Sequence, residues 1–400
     1  MSGQEPTEAD ILKTAGTPPF NTSRLDCLME EVELDVLLVT SKHNIQYMLG
    51  GYRYFFYSYM DAHGLSRYLP IFIYVRKRHD LATYVASPME IYEKELNKFW
   101  VSDILPNNMT SPQYAASAVD YLHRISRAKE RIGIEVGFLP VDAYNVLKQG
   151  MPEADIVDAS FTLELLRAIK SPAELGIIRE ASEKVIASML AVFSAHGPGS
   201  TKAKLVEALR DEELSRGVQF EYCLTNIGTN FNRAPSDQVW RPGEVLALDS
   251  GGNYKGYIGD LCRMGFAGEP DSELDDLLAE VKEIQEAARK PIRPGALGRL
   301  IYVGPEALLA RSPNRDVLDF VAHGMGIVSH EAPWLTDKCS VPYPAYHAER
   351  PLEAGMVLSI ETTLKHPRRG FIKIEDTVAV INDGYEAYGD DGRGWNLPNT

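Results

Sequence analysis

The stretch VLALDSGGNYKGYIGDLCRMG, residues 245–265, decides the fold of this chain. Two strand-like apolar runs flank a turn rich in glycine and asparagine, a pattern that is typical of a β-hairpin. If the turn centres between Tyr254 and Lys255, Asp249 and Asp260 stand directly opposite each other, with Cβ atoms about 5 Å apart. Because two like charges in apolar surroundings destabilise a hairpin, the pattern predicts a bound cation between them.

A second pair of acids repeats this arrangement downstream. The apolar run at 356–360 leads into Glu361, and a turn around Arg368 precedes the run at 371–374 and Glu375. A hairpin centred on Arg368 sets Glu361 opposite Glu375. One acid in a strand usually faces solvent, but two opposed pairs within apolar runs predict a metal site.

Between the two hairpins lies AHGMGIVSHEAP, residues 322–333. His323 is followed by closely spaced glycines, which permit the backbone to approach a site closely. A single histidine is more often a core or surface residue than a ligand, and His323 becomes a candidate because the four carboxylates need a partner. Four carboxylates and one imidazole suit two divalent ions such as manganese, cobalt or iron better than a tetrahedral thiolate zinc site. Two such ions about 3.5–4 Å apart can generate a metal-bound hydroxide and polarise a carbonyl.

The composition argues against several classes of function. The chain has 400 residues, of which 44% are hydrophobic and 24% charged, and a net charge of −15. Such a composition is typical of a soluble globular chain, and the length predicts two domains. An acidic surface repels phosphate backbones and anionic lipid, so neither nucleic acid nor a membrane surface is an expected partner. A polar N-terminus, scattered cysteines without a CxxC pair and the lack of a long apolar run predict a cytoplasmic protein with reduced thiols.

The first 170 residues alternate between strand-like and helix-like runs, which predicts an α/β unit with a mixed sheet. A boundary follows near Lys170, because SPAE at 171–174 combines an N-cap serine, a proline at the first helical position and a glutamate three residues after the cap. We therefore predict an α/β domain over 1–168 and an α+β domain over 169–400. The predicted strands of the first domain are 36–40, 69–75, 81–85 and 132–135. Helices are predicted over 24–33, 114–127, 141–149, 172–193, 202–216 and 272–289.

These motifs resemble the pita-bread metallohydrolases, the family of prolidase, aminopeptidase P, methionine aminopeptidase and creatinase. The two-domain length and the phrase IKSPAE at 169–174 resemble the prolidase/creatinase branch, in which a smaller α/β domain precedes the catalytic one. The resemblance implies a pita-bread catalytic domain over 169–400 with metal ligands in the order Asp, Asp, His, Glu, Glu. The residues at these positions are Asp249, Asp260, His323, Glu361 and Glu375.

The resemblance also implies roles and partners. His330, in the SHEAP segment, would contact the substrate or the tetrahedral intermediate, and Glu361 would be the general base. The cofactor would be two divalent ions, with manganese expected first and cobalt, iron or zinc as alternatives. The implied function is hydrolysis of Xaa-Pro dipeptides or a related small amide by a homodimer.

Three positions depart from the prolidase pattern. Arg233 lies where prolidases place a histidine, Thr362 replaces a proline, and Lys373 replaces an arginine two residues before the last glutamate. These changes leave the predicted metal cage intact but alter the residues expected around the substrate. Arg233 and Lys373 are predicted to contact the substrate. Lys373 could still bind a substrate carboxylate as a point charge. The alternative function is therefore a small-molecule C–N hydrolase or lyase of the same fold, as among creatinase-like relatives. A binding protein without activity is a third hypothesis, which the complete ligand set disfavours.

An aromatic cluster, YRYFFYSY at 52–59 with Tyr68 nearby, allows two interpretations. In the first, the rings form a patch that packs between domains or subunits. In the second, some of them line the substrate pocket, with Tyr54 as the candidate contact. Rings in a pocket could hold a proline ring, or a quaternary ammonium group by cation–π attraction.

Overall fold

The computed structural model of the protein describes residues 16–59, 62, 68–338 and 344–399. The chain divides into two compact units, Met1–Leu166 and Arg167–Thr400. The boundary between residues 168 and 169 stays a prediction.

The described residues of the first unit form a six-stranded mixed sheet. Its strands are β1 (Val36–Val39), β2 (Ile71–Val75), β3 (Thr83–Val85), β4 (Ile104–Leu105), β5 (Arg131–Ile134) and β6 (Asp155–Asp158). The sheet order is β4-β3-β2-β1-β5-β6, with β1 antiparallel to β2 and parallel to β5. Every residue of β1 and β2 is buried, which explains why both strands are apolar without interruption.

The helices described in this part of the chain are α1 (Thr22–Glu31), α2 (Lys42–Met48), α3 (Ile91–Glu95), α4 (Ser111–Arg124), α5 (Val141–Gly150) and α6 (Ser160–Arg167). The predicted helices at 24–33, 114–127 and 141–149 correspond to α1, α4 and α5. The short helices α2 and α3 were not predicted, because seven or five residues show too little periodicity.

The aromatic cluster contributes to the core of the first unit. Tyr54, Tyr57 and Tyr68 are buried there, and the ring centroid of Tyr54 lies 4.7 Å from that of Phe55 and 5.4 Å from that of Phe56. Such edge-on packing of rings stabilises a core beyond the area it buries. The substrate contact of Tyr54 stays a prediction.

The second unit is built on an eight-stranded sheet among its described residues. Its strands are β7 (Gln219–Ile227), β8 (Val245–Tyr254), β9 (Tyr257–Phe266), β10 (Leu318–Gly324), β11 (Val357–His366), β12 (Gly370–Ile381), β13 (Gly384–Tyr388) and β14 (Trp395–Asn396). The order is β10-β11-β12-β9-β8-β7, with β13 paired to β12 and β14 to β9. The strands of the main path are antiparallel, so short turns can join sequential neighbours.

Four helices are described after the first unit: α7 (Pro172–Ala195), α8 (Lys202–Ser215), α9 (Ser272–Arg289) and α10 (Leu300–Leu309). The predicted start of α7 is confirmed, since the Ser171 amide donates to Glu174 Oε2 and the Glu174 amide to Ser171 Oγ. Helix α10 was not predicted, because Gly304 and Pro305 lie inside it and both disfavour helix interiors.

The β8–β9 hairpin differs from its prediction by one residue. Its two-residue turn consists of Lys255 and Gly256, both with positive φ, so that Asp249 faces Cys262 and Asp260 faces Gly251. The prediction that Asp249 and Asp260 stand directly opposite was therefore wrong. Glycine at the second turn position accepts the left-handed conformation that such a tight turn requires. The turn therefore centres between Lys255 and Gly256, one residue further along the chain than predicted. The two acids are diagonal neighbours, and an offset of two keeps them on one face.

The β11–β12 hairpin has the predicted register. Glu361 pairs directly with Glu375, and the pairing runs from Val357 with Ala379 to His366 with Gly370. Buried Gln285 of α9 donates to the carbonyls of Ile360 and Ile374 at 2.7 and 3.0 Å, one on each strand. This side chain fixes the two strands beside the glutamates.

Three of the four cysteines, Cys27, Cys223 and Cys262, are free thiols, while Cys339 lies outside the described residues. None of the described helices combines the length and apolar character that a bilayer crossing requires.

Candidate metal centre

Five neighbouring strands of the second sheet carry the five predicted ligands. The ligands are Asp249 on β8, Asp260 on β9, His323 on β10, Glu361 on β11 and Glu375 on β12. The register places them on one face, because paired positions and positions two residues apart share a side of a sheet. Their ligand atoms, together with a ring nitrogen of His330, form three overlapping groups of three, and within each group the atoms lie within 4.8 Å of one another.

The carboxylates of this cage are crowded and mostly removed from water. Asp249, Asp260 and Glu375 are buried, and only the Glu361 side chain is appreciably accessible, at 20%. Burial raises the pKa of Asp260 well above its usual range, and repulsion by Glu375 and Asp249 adds to this effect. Burial also raises the pKa of Asp249. Because the carboxylates repel one another, a cation bound among them stabilises the arrangement.

His323 presents a nitrogen suited to a metal ion. Its Nδ1 lies 3.1 Å from the Gly324 carbonyl oxygen, which can only accept, so Nδ1 carries the proton. Nε2 therefore has a free lone pair, and this buried atom makes no hydrogen bond. It lies 3.9 Å from Oε1 of both Glu361 and Glu375. An imidazole lone pair among carboxylate oxygens is favourable only with a cation between them, so these residues fit a divalent ion.

Lys373 reaches into the same cage. Its Nζ lies 2.6 Å from Asp249 Oδ2, 2.5 Å from Glu361 Oε2 and 2.8 Å from Glu375 Oε2. Burial would lower the pKa of Lys373, but the three carboxylates raise it well above its usual range. Burial raises the pKa of Glu361 in turn, but the Lys373 ammonium outweighs this and holds that pKa below its usual range. Lys373 is thus an ammonium ion in contact with three predicted ligands, and its predicted substrate contact stays a prediction.

Arg233 also lies at the cage. One guanidinium nitrogen donates to Asp249 Oδ2, and the guanidinium carbon lies 5.4 Å from the centroid of the Phe371 ring. The sequence predicted Arg233 as a substrate contact, and that role stays a prediction. In the structure its charge is paired with a predicted metal ligand.

His330 stacks on His323, with ring centroids 3.8 Å apart and ring planes inclined by 18°. Partial burial of the ring, and then the facing His323, lower the pKa of His330 to about 4. His330 is therefore neutral at physiological pH, with one N–H to donate and one nitrogen that accepts. The structure thus brings His330 to the predicted ligands, and its contact with the substrate stays a prediction.

Glu331, which the sequence analysis did not single out, anchors the chain beside His330. Its carboxylate binds Arg167 at 3.0 Å and Lys170 at 2.9 Å, and the three side chains are 1–3% exposed. Burial raises the pKa of Glu331, but these two cations outweigh burial and lower it. A buried acid that immediately follows a candidate histidine was the available signal. Its partners lie about 160 positions away in the sequence and could not be identified from it.

Asp376 is a second residue that the sequence analysis missed. It follows Glu375, so it lies on the opposite face of β12. There it pairs with Arg263 at 3.0 Å, Arg289 at 2.8 Å and Arg393 at 3.3 Å. This network holds the strand that carries Glu375 from behind.

The family is established by comparison with known proteins. Residues 176–382 match metallopeptidase family M24, over more than half of the chain, and residues 22–169 match the creatinase/prolidase N-terminal domain. The chain belongs to metallopeptidase family M24. It is accordingly a metallopeptidase-family enzyme with a creatinase/prolidase N-terminal domain and a pita-bread catalytic domain, as predicted. Membership of M24 implies divalent metal ions.

Two relatives and one solved structure align with almost the entire chain. The uncharacterized peptidase YqhT of Bacillus subtilis is 23% identical over 369 residues, which cover 90% of this chain and 95% of the relative. An Xaa-Pro dipeptidase of Lactobacillus delbrueckii subsp. lactis is 23% identical over 92% of this chain and 96% of the relative. The solved Xaa-Pro dipeptidase from Bacillus anthracis superposes with a TM-score of 0.79 at 21% identity, over 94% of this chain and 98% of that chain. At these identities the structural likeness establishes the fold.

Glu213 of α8 is a buried acid behind the strand of Asp249. The Ser250 hydroxyl lies 2.9 Å from its Oε1, and burial raises the pKa of Glu213 to about 7. Because the folded pKa lies above the unfolded value of about 4.5, the folded protein holds the proton more tightly. The contribution of Glu213 to stability is therefore complete below pH 4.5 and is lost as the pH rises through 7.

We expect Glu213→Gln to flatten this pH dependence, because the amide cannot ionise. Relative to the wild type, the variant should gain about 2–3 kcal/mol in unfolding free energy between pH 5 and pH 8. Urea unfolding of chelator-stripped protein at both pH values measures the difference. Glu207→Gln, at an exposed position of the same helix, is the matched control and should leave the dependence unchanged. Parallel pH profiles for wild type and Glu213→Gln would contradict the assignment.

Proposed function

We propose that the protein hydrolyses the amide bond of Xaa-Pro dipeptides or of a closely related small amide. The proposal is carried by the free Nε2 of His323, which lies among carboxylates on one face of the sheet. Two divalent ions held by Asp249, Asp260, His323, Glu361 and Glu375 would polarise a substrate carbonyl and lower the pKa of a water molecule. The Xaa-Pro dipeptidases among the relatives support the choice of substrate.

Glu361 is the proposed proton acceptor. It has the most accessible side chain of the four carboxylates, and the neighbouring Lys373 ammonium keeps it ionised. A water molecule that attacks a carbonyl must lose a proton, and an ionised, accessible carboxylate at the cage can take it.

His330 is the proposed donor to the substrate oxygen. The ring is neutral, it lies against His323, and His330 is exposed. A neutral imidazole donates one N–H without adding a full charge, and such a donor stabilises the negative charge that develops on the carbonyl oxygen.

A panel of dipeptides tests the proposed substrate. We expect chelator-stripped protein to be inactive, and expect manganese, cobalt, iron or zinc to restore cleavage of Xaa-Pro dipeptides. The matched controls are dipeptides with the same first residue and alanine in place of proline, and these should be cleaved more slowly. If the protein takes up metal and cleaves none of the Xaa-Pro dipeptides, the peptide substrate is wrong.

Arg233 favours a second candidate function, a C–N hydrolase or lyase acting on a small non-peptide substrate. Its guanidinium is paired with Asp249, at the position where the resemblance places a histidine. An arginine in place of this histidine alters the surroundings of the substrate while the five predicted ligands remain. Rapid cleavage of several Xaa-Pro dipeptides would argue against this candidate.

Three finer properties complete the proposal: a homodimer, manganese as the metal, and a cytoplasmic location. The family resemblance supports the homodimer, and the oxygen-rich ligand set supports manganese. Sedimentation analysis of the purified protein measures the first property, and metal analysis of protein purified without added ions measures the second.

A further inference from the structure

We infer that Lys202 is a positioning residue: its buried side chain fixes the peptide group before Arg233 and so sets the direction in which the Arg233 side chain reaches the cage. This role rests on the proposed function, in which Arg233 contacts the substrate. Lys202 itself is neither a predicted ligand nor a predicted substrate contact, and it is the first residue of α8.

Arg233 lies in a loop, residues 228–239, between β7 and β8. None of residues 229–239 is buried. Because an exposed segment gains little from the burial of apolar surface, such packing contributes little to the conformation of this loop. Hydrogen bonds to the elements beneath the loop must therefore determine its conformation.

The first turn of α8 supplies three of these hydrogen bonds. The Lys202 amide donates to the Gln238 carbonyl at 3.0 Å, and the Ala203 amide donates to the Ser236 carbonyl at 3.0 Å. The first amides of a helix have no acceptors within the helix, so they are available to the loop. The Lys202 side chain adds a third donor, since its Nζ lies 2.5 Å from the carbonyl oxygen of Asn232.

Arg233 is thereby held at both of its peptide groups. Lys202 binds the carbonyl of Asn232, which belongs to the peptide group before Arg233. The carbonyl of Arg233 itself accepts from the Thr225 amide of β7 at 2.9 Å. Because peptide groups are planar, fixing both of them fixes the φ and ψ angles between them. The guanidinium carbon is held in this way 5.4 Å from the centroid of the Phe371 ring.

The position of the Arg233 guanidinium matters for a ligand. The Arg233 side chain is 33% exposed, so a small molecule can reach it. A guanidinium presents its N–H groups as a rigid planar fork that matches a carboxylate, such as the one at the C-terminus of a dipeptide. A fork of this kind binds well only at the correct angle, so a loosened backbone at Arg233 weakens substrate binding.

The burial of Lys202 is difficult to explain by a contribution to stability. The residue is 0% exposed, and this burial lowers the pKa of its amine. Removing an ammonium group from water is unfavourable for folding. A neutral amine still carries N–H groups, so the bond to Asn232 forms in either protonation state. What the side chain contributes is order in the loop.

Lys202→Met tests this role, because it removes the donor and keeps an unbranched side chain of similar length. In metal-loaded protein we expect KM for the best dipeptide to rise at least about fivefold, with kcat within about twofold of the wild type. Amide hydrogen exchange in segment 229–238 should become at least about tenfold faster. The variant should melt no lower than the wild type. Lys204→Met, at an exposed position of the same helical turn, is the matched control and should match the wild type throughout.

A double variant distinguishes positioning from a general structural role. If Lys202 acts through Arg233, adding Lys202→Met to Arg233→Met should change KM by less than about twofold. An undiminished increase in KM in that background would overturn the inference, as would unchanged loop exchange in Lys202→Met.

Should Lys202→Met fail to fold, Lys202→Gln takes its place. Its side chain ends one atom short of Nζ, so the same faster exchange and the same rise in KM are expected, and their absence would contradict the role of Lys202. Faster loop exchange in a protein whose wild type cleaves no dipeptide would show that Lys202 anchors the loop and that the proposed function is wrong.

Discussion

Glu375→Gln is expected to lower both divalent-metal affinity and metal-restored hydrolysis at least about 100-fold. Glu375 belongs to two of the three groups of potential ligands, the one with His323 and Glu361 and the one with Asp249 and Asp260. An amide has no charge and only one coordinating oxygen, so either position for an ion loses a ligand. Even residues that only orient metal ligands change affinity or activity by about 10–100-fold, and removing a shared ligand exceeds that.

Metal content after desalting, Mn²⁺ calorimetry and hydrolysis of the best dipeptide measure the effect of Glu375→Gln. Glu283→Gln, at an exposed position of α9, is the matched control and should bind metal as the wild type does. Circular dichroism of the metal-free variant verifies that the fold is retained. A folded Glu375→Gln protein with unchanged metal content and activity would refute the assignment of Glu375 as a ligand.

Glu331→Gln is expected to lower the unfolding free energy of the second unit by about 3–5 kcal/mol. The change removes a negative charge that pairs with both Lys170 and Arg167, and both cations stay buried. Breaking one side of a buried ion pair is expensive because the other side remains charged and out of water. The melting temperature should fall by roughly 6–20 °C, since 1 kcal/mol corresponds to about 2–4 °C for a unit of this size.

Thermal unfolding of metal-free protein measures the effect of Glu331→Gln. The matched control is Glu306→Gln, which breaks an exposed ion pair between Glu306 and Lys338 that is 3.4 Å long. Exposed pairs contribute about 0–1 kcal/mol, so the control should melt within a few degrees of the wild type. Equal melting temperatures for the two variants would mean that the buried pair contributes no more than the exposed one.

The two hairpins show which features of strand pairing could be predicted from the sequence alone. The alternation of apolar and acidic residues predicted which side chains share a face, and the register of β11 with β12 was predicted correctly. The direct opposition of Asp249 and Asp260 was wrong by one turn position, because the conformation of Lys255 and Gly256 set the register. The error left both acids on one face, since the face depends on parity and not on the exact partner.

Among the helices, the sequence predicted only those features that depend on residues close together in the chain. The capping box at Ser171 determined the start of α7, because all of its interactions lie within four residues. Helix α10 escaped prediction, because tertiary packing outweighs the unfavourable propensities of Gly304 and Pro305.

The sequence by itself determined the family, the two-part organisation and the chemical types of the candidate ligands, because these depend on motifs and spacing along the chain. Only the tertiary structure decided which positively charged side chains pair with those ligands and with the acids around them. The contact of Lys373 with Asp249 joins residues 124 positions apart, and that of Lys170 with Glu331 joins residues 161 apart. Charges so distant in sequence interact only when sheet register and burial bring them together, and no local pattern encodes that proximity.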